Sequence, residues 1–386
     1  MDITFIRKAV ALIAKGIMEK ERLLEKQPNR YPYCAQLHHG INMFLYASME
    51  WGGLGERVFG FADESGFLKR YAQIPVARWF EDWDPEICKQ LNLADEGFYG
   101  YGAFAYYQKR SNKYLMSEEC VEFLETQENN IIEGTDEFAV YEMIKRLTQD
   151  DYVIVRKFII EHPVMTIGER REFLLQMAGN SIAREAIELA YEQFQDKGYR
   201  CPVCGWTMTD GKFGPVCHSR HCVDTMPHLD ILEELDGISE TLYRLRKGVM
   251  RYFAQPGKLE LEIVDFCERK KIGWKLWPQM DRFDVEIIFP DGEVWEIDAK
   301  AYRNPMALRS KIENNNGFSD GEYERGYYVV PTEFTRGNQQ YTRIVSTALD
   351  RLHQPNVRCI TMHSLKTYIN RKVESCREKY AEKQLV

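Results

Sequence analysis

The sequence predicts a mainly α-helical front, a small four-cysteine module, and an α/β core towards the C-terminal end. Three observations carry this reading. Residues 2–26, 117–126, 135–148, 150–161 and 167–194 repeat apolar side chains at helical spacing. Two close cysteine pairs, Cys201/Cys204 and Cys217/Cys222, stand twelve residues apart. Beyond residue 257, short runs rich in aromatic and β-branched residues alternate with helical patterns. The boundaries expected are 1–196 for the helical domain, 197–236 for the cysteine module and 237–386 for the α/β core.

In the front part, Ser117-Glu-Glu-Cys120 and Thr135-Asp-Glu-Phe138 read as capped helix starts, because a hydroxyl accepts from the free N–H groups of a first turn. Residues 50–112 are irregular and rich in glycine and aromatics. Such rings stack on bases in some proteins, but a packed core beneath loops is the more ordinary outcome. The adjacent His38 and His39 lack a third ligand and read as incidental. No Gly-x-x-x-x-Gly-Lys-Ser/Thr loop occurs. No apolar run approaches the ~20 residues that cross a bilayer. The first helix is interrupted by charge, unlike a secretory signal. A cytoplasmic protein of two or three domains is expected, with no membrane partner.

Cys201-Pro-Val-Cys204 and Cys217-His-Ser-Arg-His221-Cys222 have the spacing of a zinc ribbon. Four thiolates close a tetrahedral structural Zn²⁺ site and leave no open position. Gly205 suits the tight knuckle after the first pair. His221 is the alternative to Cys222 as fourth ligand, and His218 is a spare. The ten cysteines form no secreted framework, so disulfides are not expected. Contact with nucleic acid and pure scaffolding are equally compatible with this module.

In the C-terminal part, residues 258–270 read as a helix with Leu259, Ile263, Phe266 and Cys267 at helical spacing. Strands are expected at 273–280, 282–290, 293–302, 326–332 and 357–362, and helices at 305–315 and 339–352, with Pro305 suited to a first helical position. The order is αβββαβαβ. Asp284 opens the second strand. Asp298 and Lys300 lie two apart at the end of the third, hence on one face. Two carboxylates beside an ammonium suit a hard divalent cation and a phosphate.

This constellation resembles the PD-(D/E)xK phosphodiesterase superfamily over roughly residues 240–375. The resemblance implies a restriction-endonuclease-like nuclease, with Asp284 and Asp298 as ligands of Mg²⁺ or Mn²⁺. Lys300 would then be the base, the water-orienting group or the stabiliser of the transition state. It also implies an accessory acid on the preceding helix. Glu268 is the first choice there and Glu262 the second, with Glu296 and Glu333 as further candidates. The three-part layout is similar to the nuclease component that accompanies Piwi-related proteins and a helicase in prokaryotic defence islands. That likeness implies action on foreign DNA, with the helical part docking a helicase or other defence protein. RNA is the alternative substrate, and a non-catalytic nucleic-acid-binding or assembly subunit the alternative role.

The net charge of −8 is uneven. From Gly237 onward there are 25 basic and 21 acidic residues, against 26 and 38 before it. Phosphate contact depends on local charge, so the mildly basic C-terminal part is where it is expected. Arg303, Arg309 and Lys311 are the nearest candidates.

Overall fold

The computed structural model describes residues 3–26, 33–51, 63–81, 83–91, 98, 101–108, 113–127, 136–211, 214–217, 222, 232–321, 323–335 and 338–384. Two compact units emerge, one of residues 1–130 with 302–314, the other of 131–301 with 315–386. The boundaries expected at 196/197 and 236/237 therefore fall inside the second unit, because the cysteine module shares one hydrophobic core with the helices before it and the sheet after it.

In the first unit, helices Ile3–Lys26 and Ala35–Trp51 pack together, and Gly16 and Gly40 leave each backbone room for the other. Phe44, Phe67, Trp79, Phe80, Phe98 and Phe104 form a buried aromatic core. The described part of the irregular segment is thus core. A hairpin of Ala105–Gln108 with Lys113–Met116 was not expected from the sequence. The Ser117 hydroxyl accepts from the Cys120 N–H at 3.1 Å, as a capped start requires; Thr135 lies outside the described residues.

The second unit begins with helices Asp136–Ile144 and α1 (Gln149–Glu161), the latter capped by Thr148. The expected long helix 167–194 is instead Ile167–Gln176 and Ser181–Ala190, followed by a strand, Tyr191–Phe194. Gly179 at φ +92° breaks the first helix, and Asn180 caps the second through the Ala183 N–H at 3.0 Å. Tyr191–Phe194 and Val164–Thr166 flank the strand Leu242–Leu245.

The α/β core follows. Helix α2 (Gln255–Lys270) leads to β1 (Gly273–Leu276), β2 (Val285–Ile288) and β3 (Val294–Ala299). Next come α3 (Pro305–Asn314), β4 (Arg325–Val330), α4 (Tyr341–Arg351), β5 (Val357–Thr361) and α5 (Met362–Gln384). The five strands form one sheet in chain order, antiparallel from β1 to β3 and parallel from β3 to β5. Val285, Ile287, Trp295, Ile297, Tyr327 and Val329 share a buried core with Leu259, Ile263 and Cys267 of α2 and Leu365 and Ile369 of α5. Although α3 follows β3 in the chain, it groups with the first unit, where Glu122 accepts the N–H groups of Arg303 and Asn304 at 2.7 and 2.9 Å.

Candidate active site and metal centre

The hairpin β2–β3 positions the signature residues. Pro290-Asp291-Gly292 turns the chain with Gly292 at φ +87°, and the Gly292 N–H donates to the Phe289 carbonyl at 2.9 Å. The register pairs Glu286 with Glu296 and Val285 with Ile297. Continuing the ladder by one position sets Asp284 opposite Asp298. The regular ladder stops there. The Asp284 N–H returns to the Ile297 carbonyl at 3.0 Å, and its carboxylate takes the Ala299 N–H at 2.6 Å. Lys300 is anchored by its N–H to the Val329 carbonyl of β4 at 2.8 Å, and its ammonium is hydrogen-bonded to Asp298 Oδ1.

Asp284 is 8% exposed. Burial, and next the nearby Glu260 carboxylate, push its carboxyl well above the usual range, with Lys300 opposing and Asp298 adding to the shift. Burial works against the Lys300 charge, but Asp298 and Asp284 outweigh it and shift the ammonium above the ordinary lysine range. Tyr328, paired with Asp298 in the β3–β4 register, packs buried beside them.

The acid that α2 brings to this group is Glu260, not Glu268 or Glu262. Glu268 is exposed and lies eight residues on, ~12 Å along the helix axis. Glu262 is exposed and paired with Lys366 at 2.6 Å. Glu260 is 4% exposed and feels both Arg156 and Lys300. Both of its oxygens accept from Arg156 Nη2, at 3.2 and 3.1 Å, and Oε2 also accepts from the Trp277 indole. One signal for it was in the sequence: Glu260 precedes Ile263 by three and Cys267 by seven, inside the apolar stripe. Arg156 and Trp277 had no such signal.

Other candidates sit elsewhere. Glu296 is buried against Glu286, and Glu333 lies in the one-turn 3₁₀ helix Thr332–Thr335. Arg309 is buried and paired with Glu313 at 3.2 Å, so it is no open phosphate contact, and Arg303, Arg309 and Lys311 all belong to the first unit. His38 and His39 are exposed along one helix.

The carboxylates fit a divalent cation by their charge. Asp298 has Lys300 and Glu260 has Arg156, but Asp284 is buried on a backbone N–H alone among the described hydrogen bonds and ion pairs. A hard cation bound by one or two carboxylates and water would supply the missing positive charge.

The four cysteines form the second centre. Cys201, Cys204, Cys217 and Cys222 are all buried, with their sulfur atoms within 4.8 Å of one another. Among the described residues, no other set of three or more ligating groups closes so tightly. Gly205 at φ +77° turns the knuckle, with its N–H on the Cys201 carbonyl at 2.8 Å. The four thiols hydrogen-bond one another, which pushes Cys201 below and Cys217 and Cys222 above the ordinary thiol range. A closed cluster of four thiols suits a metal such as Zn²⁺. Cys222 stands in the cluster; His218 and His221 lie outside the described residues. Lys258 of α2 donates to the Cys204 carbonyl at 2.5 Å, so one helix touches both centres.

Residues 257–377 match the family model described as REase associating with pPIWI_RE. That span holds α2 from Gly257 onward, all five strands, Glu260, Asp284, Asp298 and Lys300. The match supports a restriction-endonuclease-like domain of the kind associated with pPIWI-RE systems over residues 257–377, most of which lie in the second unit. No curated protein and no solved structure matches the chain. No described helix is long and apolar enough to cross a membrane.

Proposed function

We propose that the protein is a divalent-metal-dependent nuclease of PD-(D/E)xK type that hydrolyses phosphodiester bonds of DNA. The observation that carries this is the junction of Asp284, Asp298 and Lys300 at the end of β3, within the span that matches a restriction-endonuclease-like family. Asp284 and Asp298 would hold Mg²⁺ or Mn²⁺, and the ion would supply positive charge at the scissile phosphate and lower the pKa of a bound water. Asp284 is oriented by the Ala299 N–H. Lys300, hydrogen-bonded to Asp298, would stabilise charge on the scissile phosphate, orient the attacking water or act as its base. Glu260 stands behind Asp284 as an accessory acid. The four cysteines hold a structural Zn²⁺.

The match to a family associated with pPIWI-RE supports a role in prokaryotic defence against foreign DNA, with a helicase or other defence protein as partner. Incubation with plasmid, linear duplex, single-stranded DNA and RNA in Mg²⁺ or Mn²⁺ tests the proposal. EDTA-sensitive cleavage of DNA is expected. Cleavage of RNA alone would reassign the substrate, and no cleavage of any of them would favour a binding or assembly role.

A further inference from the structure

We propose that Arg156 is a positioning residue for the candidate active site: from α1 it holds Glu260 and the left-handed turn 277–281 in the arrangement that presents Asp284 to a divalent cation. The proposal rests on the nuclease reading above. Arg156 is buried and reaches four groups. Its Nη2 grips both Glu260 oxygens, its Nη1 lies 2.5 Å from Asp281 Oδ1 and donates to the Tyr152 hydroxyl at 2.7 Å, and its guanidinium stacks 4.4 Å from the Trp277 ring centroid. None of these hydrogen bonds or ion pairs goes to Asp284, Asp298 or Lys300, so Arg156 acts through other residues.

The turn it holds is strained. Trp277, Gln279, Met280 and Asp281 have φ of 47°, 54°, 57° and 72°, a left-handed run without glycine. Each such residue costs roughly 1–2 kcal/mol and persists only where its surroundings enforce it. Here the enforcement comes from the helices before the sheet. Gln149 donates to the Trp277 carbonyl at 2.9 Å and accepts the Met280 N–H at 2.8 Å, and the Tyr141 hydroxyl donates to Asp281 at 2.9 Å. The turn is joined to the site by the Trp277 N–H, which donates to the Asp284 carbonyl at 2.9 Å, and by the Trp277 indole on Glu260.

Charge makes the same point. Arg156 answers Glu260 and Asp281, and Lys300 answers Asp298. Asp284 is thereby left as the carboxylate that a cation completes. Without Arg156, Glu260 would be left to compete for Lys300 and for the cation, and the turn joined to Asp284 would lose one of its ties.

The test is Mn²⁺ binding to the full chain, read from the loss of the free Mn²⁺ paramagnetic resonance signal, for native protein, Asp284→Asn, Arg156→Met and Arg156→Lys. Arg156→Met is expected to weaken the Asp284-dependent binding about tenfold or more, as loss of a group that orients a ligand does. Arg156→Lys, which keeps the charge, should recover part of that loss. If Arg156→Met does not fold, Arg156→Met/Glu260→Gln stands in and is compared with Glu260→Gln alone, with a further weakening of about tenfold expected because the turn is still released. A folded variant lacking Arg156 that binds Mn²⁺ as tightly as native protein overturns the proposal while the nuclease reading stands. Native protein without Asp284-dependent Mn²⁺ binding overturns both.

Discussion

The Asp284 carboxylate accepts the backbone N–H of Ala299 at 2.6 Å, so the first acid of the site is fixed by the residue that separates Asp298 from Lys300. This bond holds a buried carboxyl whose charge the fold disfavours. Its pKa is raised on folding, so its stabilising contribution is complete below the ordinary carboxylate pKa and is lost as pH rises towards the folded value. Asp284→Asn keeps an acceptor for Ala299 and removes the charge. At neutral pH and without divalent cation it is expected to melt higher than native protein, by roughly 2–4 °C for each kcal/mol relieved. Mn²⁺ should raise the melting temperature of native protein and leave the variant's unchanged. A variant less stable than native protein at neutral pH contradicts this account.

Glu296 and Glu286 face each other across β2–β3, and Lys275 meets Glu286 at 2.5 Å. Burial first, and then Glu286, push the Glu296 carboxyl up from 4.5 to about 8. Stability from this pair is therefore present at acid pH and falls as pH climbs through about 8. Glu296→Gln should lessen that fall, with a gain over native protein of about 1–3 kcal/mol at pH ~9 and little at pH ~5. Urea unfolding at the two pH values measures it; parallel losses in both proteins would count against a shared proton.

The four thiols share the core of the second unit, so metal removal should loosen more than the ribbon. One Zn²⁺ per chain is expected. A strong chelator, or Cys217→Ser, should lower the unfolding temperature and open α2 to hydrogen exchange, because Lys258 ties that helix to the knuckle. Exchange changes confined to residues 197–236 would limit the metal to a local role.

Gln279 is exposed and left-handed at φ 54°. Gln279→Gly is expected to stabilise the protein by about 0.5–1 kcal/mol, since glycine pays nothing sterically there and more in chain entropy. In an ordinary strand or helix the same change would destabilise. Chemical denaturation decides between them.

The elements that the sequence made legible are those whose signal is local. The periodicity of 258–270, the hairpin at Pro290-Asp291-Gly292, the Asp298–Lys300 spacing and the two cysteine pairs depend on neighbours within a few residues. Glu260 was not legible in the same way. Its role depends on Arg156, 104 residues earlier, and the sequence points first to Glu268 and then to Glu262 on the same helix. The strand expected to run to residue 280 ends at Leu276, because Trp277, Gln279 and Met280 adopt a left-handed turn that only contacts from Gln149, Tyr141 and Arg156 enforce. The grouping of 302–314 with the first unit was equally hidden. Pro305 announces the helix, but nothing local says that Glu122 holds its start.

The central claim is tested most directly by comparing native protein with Asp298→Ala and Lys300→Ala in a DNA cleavage assay, each shown to be folded by circular dichroism. The account predicts cation-dependent cleavage by native protein and a loss of at least ~100-fold in both variants, as when a group stabilising transition-state charge is removed. Cleavage that survives both substitutions would contradict it and move the chemistry away from β3.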